Sequence, residues 1–139
     1  LASLIKEIYQ RKFWFRESPF VMNHFGKKAS EHIQAKCHID GYNQMTIQVF
    51  MNDLDEEAFC TEILAGSDQT NWEFERNNIE TKDINKYNNV KLIGKKGDLL
   101  LFNAGKTLHR SYVGKKKREA LFINLSTGWY ESKPFFGIV

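Results

Sequence analysis

Two hydrophobic periods divide this chain. Over residues 1–12, Leu1, Leu4, Ile5, Ile8 and Tyr9 recur at three- and four-residue spacing while Lys6, Glu7 and Arg11 face away, which predicts an amphipathic helix. Beyond it the period drops to two. In the clearest case, 44–52, Met45, Ile47, Val49 and Met51 share one face of a strand and Thr46, Gln48, Phe50 and Asn52 the other. Residues 32–38 alternate more loosely into an Ile39-Asp40-Gly41 corner, and further strands are predicted at 59–64, 72–76, 90–93, 99–103, 109–113 and 118–126. Between them lie an acidic turn at 53–57, a polar loop at 77–89 and tight turns at 94–98 and 114–117. Many short strands with almost no second helix predict a mainly β protein, a sandwich or jelly roll behind an N-terminal helix.

At 139 residues the chain reads as one domain able to bury a core. No apolar run approaches the roughly 20 residues of a membrane span, and the first residues lack the basic and apolar regions of a signal peptide. The net charge of +3 is mild, and Lys115-Lys116-Lys117-Arg118 is too short a cluster for a nucleic-acid footprint, so no membrane or nucleic-acid partner is expected. Cys37 and Cys60 have neither CxxC nor zinc spacing and read as buried free thiols of a cytoplasmic protein, with a Cys37–Cys60 disulfide as the rival reading.

The candidate chemistry is carried by His38-Ile39-Asp40, a distant His109 and, shortly after it, Arg118. On a strand, residues two apart point the same way, so His38 and Asp40 can share a face while Ile39 points outward. Two imidazoles and one carboxylate make the three-point face that suits Fe(II) and leaves positions open for substrate and O2. His-x-Asp alone is weak evidence; the whole set within a strand-rich chain is stronger. Arg110 adjoins His109 and has the wrong parity to serve as the cation of the same face, as does Lys117 relative to Arg118. Thr46 and Gln48 are the polar positions expected to line a co-substrate pocket. His24 and His32 read as ordinary core or surface residues.

Two segments, HIDGYNQMTIQVFMND (38–53) and GDLLLFNAGKTLHRSYVGKKKREALFINL (97–125), resemble the 2-oxoglutarate/Fe(II)-dependent dioxygenase superfamily, in particular its prolyl-hydroxylase and phytanoyl-CoA-hydroxylase branches. The resemblance spans about residues 32–130. It implies a single double-stranded β-helix oxygenase domain over 1–139, short at its N-terminus for that superfamily. It further implies that His38, Asp40 and His109 bind Fe(II) as the catalytic centre and that Arg118 clamps the distal carboxylate of the co-substrate 2-oxoglutarate. With O2, hydroxylation of a C–H bond in a small molecule or protein side chain is then the default outcome, with succinate and CO2 as co-products. The chain departs from the prolyl-hydroxylase pattern at Phe50, where a Tyr is usual, and at 57–62, where a Gly-Gly-Glu-Thr segment is replaced by Glu-Ala-Phe-Cys-Thr-Glu. Asp40 stands where halogenating relatives carry a small residue, which argues for oxygen transfer. Two rivals stay open: a non-catalytic cupin-like binding domain, and a nucleic-acid demethylase of the same superfamily.

Overall fold

The structure is a computed structural model and describes residues 3, 6–7, 14–24, 35–40, 44–70 and 84–126. Eight strands follow in order: β1 (Trp14–Phe15), β2 (Phe20–His24), β3 (Gln44–Phe50), β4 (Cys60–Ala65), β5 (Asn88–Leu92), β6 (Leu99–Phe102), β7 (His109–Tyr112) and β8 (Arg118–Ser126). They form two antiparallel sheets. The larger runs β1-β8-β3-β6, with β2 also on β8; the smaller runs β5-β4-β7. This mainly β, two-sheet arrangement is consistent with a jelly roll. No helix of the described residues is long and apolar enough to cross a membrane.

The register explains the division of labour between faces. β3 lies between β6 and β8, pairing Thr46 with Phe102 on one side and Asn124 on the other. A strand covered on both faces buries both sets of alternate residues, and β3 is buried at every position but Val49. Met45 and Ile47 pack with Leu125, Phe15, Leu101 and Ile123 on one face. On the other, Phe50, Ala120 and Phe122 gather Leu54, Ala58, Phe20, Met22 and Leu100. A third cluster, Cys37, Ile39, Leu64 and Leu108, joins the 37–39 segment to β4 and to the residue before β7.

Several expectations change here. Residues 35–38 form no strand: His38 makes one isolated bridge, to His109, because the chain touches the sheet there only briefly. Asn88 and Asn89 belong to β5 rather than to the polar loop, since pairing with Ala65 and Leu64 overrides the poor strand propensity of Asn. The strands β1 and β2 were not anticipated. The helix over 1–12 falls mainly outside the described residues; Ser3, Lys6 and Glu7 are helical, but no N-terminal helix stands among the described elements. The strand at 72–76 and the loop at 77–83 also lie outside the described residues, as does His32.

The turns behave as expected. Gly97 adopts a positive φ of 93° in the turn before β6, which Asp98 closes by accepting the Lys95 amide at 2.7 Å. The lysine cluster is locally neutralised: Lys116 meets Asp55 and Glu57, Lys115 meets Glu57, and Lys117 meets Glu119. Cys37 and Cys60 are free and buried, and desolvation pushes the Cys60 thiol up to about 11.

Gly114 lets the β7–β8 connection close onto the segment before β4. A Cβ there would stand 2.2 Å from the Ala58 carbonyl carbon and 2.4 Å from the Glu57 oxygen, while the Lys115 amide donates to that Glu57 oxygen at 2.7 Å. Backbone cannot yield as a flexible side chain can. Gly114→Ala is therefore expected to destabilise the fold by roughly 2–3 kcal/mol, read as a lower urea midpoint; an unchanged midpoint would show that this contact is loose.

Candidate metal centre

His38 and His109 come together through backbone. The His38 amide donates to the His109 carbonyl and the His109 amide to the His38 carbonyl, each at 3.0 Å. Residues paired this way project their side chains on the same side of the ladder, and the two rings lie with centroids 4.5 Å apart. The same pairing continues loosely: Asp40 donates its amide to Ala104 at 2.8 Å and Gly105 to Gln44 at 3.0 Å. From the other side, the Leu108 amide donates to the buried Ser67 hydroxyl at 2.9 Å, which fixes where β7 begins.

Each imidazole is oriented by its neighbours two residues back. Nδ1 of His38 lies 2.7 Å from the Lys36 carbonyl, and Nδ1 of His109 lies 2.9 Å from that of Thr107. A carbonyl only accepts, so Nδ1 carries the proton in both rings and each Nε2 presents its lone pair. Both Nε2 atoms face Asp40, at 3.8 Å from Oδ1 for His38 and 3.7 Å from Oδ2 for His109. The three donor atoms lie within 4.8 Å of one another. This His-Asp-His cluster is consistent with a facial triad for iron, because it offers one hard anionic oxygen and two borderline nitrogens from one side only.

The triad opens into a cavity that is also lined by Thr46, Gln48, Thr61 and Arg118. Arg118 is 1% exposed. One of its Nη atoms donates to Thr61 Oγ1 at 3.0 Å, and the other lies 2.9 Å from His24 Nδ1. Its Nε is buried without a partner, and among the described residues no carboxylate meets it. Desolvation lowers its pKa to about 10, so it remains a cation at neutral pH. Thr61 joins it to Gln48, whose amide donates to the Thr61 hydroxyl at 2.8 Å. Arg110, which also borders the cavity, has the opposite fate: its Nε donates to the buried Glu62 carboxylate at 2.5 Å.

Every candidate chosen from the sequence thus borders one cavity: His38, Asp40, His109, Arg118, Thr46 and Gln48. Sequence reasoning passed over Thr61, His24 and Gln44. Gln44 donates to Asp40 Oδ2 at 2.8 Å, and its parity with Thr46 and Gln48 was the available signal. His24 stacks on Phe59 beside Arg118 and arrives from β2, whose short pattern gave no warning.

No protein-family model and no curated protein matches the chain. Solved structures do resemble it. The non-heme alpha-ketoglutarate-dependent epimerase SnoN of nogalamycin biosynthesis superposes with a TM-score of 0.69 at 13% identity, covering 90% of this chain and 53% of SnoN. A second SnoN structure, holding Fe3+, alpha-ketoglutarate and nogalamycin RO, also gives 0.69, at 15% identity and with 90% and 54% covered. EctD from S. alaskensis, in its apoform, gives 0.69 at 14% identity, with 91% and 49% covered. At these identities the likeness is one of fold, and the chain spans about half the length of the structures it resembles.

Burial pushes the His109 pKa below its ordinary value, with His38 adding to the effect and Asp40 opposing it. An unfolded chain takes up that proton near pH 6.5, whereas the folded state resists it until lower pH. The metal-free protein is therefore expected to hold full stability from this group above about pH 6.5 and to lose it as pH falls further. Thermal melts between pH 7.5 and 5 check this: His109→Gln should flatten the slope, and an unaltered slope would exclude His109 as its source.

What this chain shares with its structural neighbours is the two-sheet fold, and on that fold it brings two oriented imidazoles and a carboxylate together.

Proposed function

We propose that this chain is the core of an Fe(II)- and 2-oxoglutarate-dependent oxygenase that hydroxylates a C–H bond of a small molecule, releasing succinate and CO2. One observation carries the reading. The His38, Asp40 and His109 donors converge in the same cavity as Arg118, a buried cation with an orphaned Nε and no carboxylate among the described residues. A buried guanidinium without a counter-anion is costly to maintain, and a dicarboxylate co-substrate would relieve it.

In this reading His38, Asp40 and His109 hold the ion by one face, and Arg118 grips the far carboxylate of 2-oxoglutarate through paired N–H donors. Bound Fe(II), with 2-oxoglutarate and O2, would supply the oxidising power needed to attack a C–H bond. Thr61 holds one Arg118 Nη in place and is itself held by Gln48. Phe20 and Phe122, stacked with centroids 5.5 Å apart, keep that side of the cavity apolar and so strengthen the cation's pull on an anion. Thr46 lines the same cavity but is engaged with Asn124 at 2.9 Å. SnoN, one of the structures that this chain resembles in fold, acts in nogalamycin biosynthesis, which favours a small substrate over a protein side chain.

Isothermal titration of 2-oxoglutarate into the Mn(II)-loaded protein, paired with succinate release under Fe(II) and ascorbate, tests this reading. Wild type is expected to do both; His38→Ala and His109→Ala should lose metal and with it 2-oxoglutarate binding. Metal content and ligand binding that survive both substitutions would reject the reading in favour of the non-catalytic one.

Arg118 also yields a stability prediction. Its charged form is penalised by burial at any pH below about 10. Arg118→Met keeps the bulk and removes the charge, so the metal-free protein should gain stability, on the order of 1–4 kcal/mol. The same variant should bind 2-oxoglutarate at least about 100-fold more weakly. Chemical denaturation and titration read the two effects; a destabilised variant would mean that the bonds to Thr61 and His24 outweigh desolvation.

A further inference from the structure

We propose that Arg16 and Gln44 form a positioning relay that sets Asp40 to ligate through Oδ1 alone, and so keeps one more position of the bound ion open. The inference rests on the metal-site reading above and extends it to two residues outside the triad.

Gln44 is 2% exposed, so its amide must be satisfied by protein. Its Nε2 donates to Asp40 Oδ2 at 2.8 Å and reaches Thr46 Oγ1 at 3.5 Å. Its Oε1 accepts from Arg16 Nη1. An amide could be turned either way, but a guanidinium has only donors. Arg16 therefore compels the Gln44 oxygen toward itself and the NH2 group toward Asp40. Remove Arg16 and that compulsion goes.

A second line of hydrogen bonds supports the same polarity. Glu17, the next residue, accepts from Asn124 Nδ2 at 2.5 Å. The Asn124 oxygen is thereby turned to Thr46, whose hydroxyl donates to it at 2.9 Å. With its proton committed, the Thr46 oxygen is free to accept from Gln44. Two adjacent residues of opposite charge thus polarise two amides, and the lines meet at Gln44. The Arg16 amide, donating to the Asn124 carbonyl at 2.9 Å, anchors the pair on β8. Each link depends on the last, so the network acts as a unit.

At Asp40 both oxygens face an imidazole, Oδ1 at 3.8 Å from His38 Nε2 and Oδ2 at 3.7 Å from His109 Nε2, but the relay occupies lone-pair space on Oδ2 only and leaves Oδ1 without a bond from Gln44. A carboxylate held by one oxygen in this way presents the other to an ion, and such outer partners tune metal affinity by about 10–100-fold. Arg16 and Gln44 are positioning residues: neither lines the cavity, and each acts on Asp40 through hydrogen bonds.

The test uses the full chain with Co(II) alone as the probe, measuring affinity by chelator competition and coordination by the visible d–d spectrum. Gln44→Leu is expected to weaken Co(II) binding by about 10–100-fold and to alter the band intensity as Asp40 becomes free to bind through both oxygens. Arg16→Leu should move both readouts in the same direction, and Arg16→Lys, which restores a donor to Gln44 Oε1, should bring them back. Wild-type affinity and spectrum in a folded Gln44→Leu protein would overturn the relay while leaving the metal site standing. Should Gln44→Leu fail to fold, the Arg16→Leu and Arg16→Lys pair decides alone: no difference between them overturns the proposal. Absence of Co(II) binding by wild type would overturn the metal site and the relay together.

Discussion

Two backbone hydrogen bonds, exchanged between His38 and His109 at 3.0 Å each, hold the candidate site together. His38 belongs to no strand; among the described residues its segment bonds the smaller sheet at this bridge, and beside it the Asp40 amide donates to Ala104 in the β6–β7 connection. Chain far apart in sequence must pay loop-closure entropy to meet, and the contact offsets it by burying Cys37 and Ile39 against Leu64 and Leu108. The residues flanking and separating the two ligands, Cys37 and Ile39, face the apolar cluster while His38 and Asp40 face the cavity. Alternation at this short stretch thus couples packing to chemistry: the apolar side secures the segment and the polar side is delivered by it.

The inner faces of the sheets are graded rather than uniform. Along β8, Ala120 and Phe122 join the apolar cluster, whereas Arg118 and Asn124 on either side of them are buried polar groups. β3 mirrors this, with Phe50 in the cluster and Gln48, Thr46 and Gln44 beyond it. Each buried polar group costs free energy unless it is bonded, and the bonds from Arg118 to Thr61, from Gln48 to Thr61 and from Thr46 to Asn124 run between strands rather than along them. Polar residues that hold one another across a cavity keep it from collapsing, while the stacked Phe20 and Phe122 limit water on one wall. Stability is lower than an all-apolar interior would give, and the deficit is concentrated where ligands would be received.

Legibility in the sequence followed the strength of the local pattern. β8 was predicted to its ends, and β3 to within two residues, because both alternate over long runs. Strand parity set Arg118 apart from Arg110, yet both border the cavity; what distinguishes them is their partners, since Arg110 is paired with Glu62 and no carboxylate among the described residues meets Arg118. β1 and β2 escaped notice because two and five residues carry too little period, and their pairing with β8 is a tertiary effect. His24 was missed for the same reason, since only the register His24↔Arg118 places it beside the cation. Gln44 was visible as the first residue of a strand, but its partners, Arg16 and Asp40, lie on other segments, and hydrogen bonds between segments leave no periodic trace.

The fate of the arginines bears on how a site of this kind is built. Arg110 and Arg118 sit on neighbouring strands in sequence and both border the cavity. Arg110 faces a carboxylate fixed on the opposite β4 position, Glu62, so its charge is compensated before any ligand arrives. Arg118 faces Thr61 on the same strand, one residue and therefore one face away from Glu62, and receives only neutral acceptors. One step in register along β4 separates a structural ion pair from an anion-seeking cation. The polarity of the cavity therefore depends on β4 as much as on the metal ligands: a one-residue slip of that strand in either direction would take Glu62 from Arg110, and in one direction would carry it to the position of Thr61 beside Arg118, without altering a single side chain.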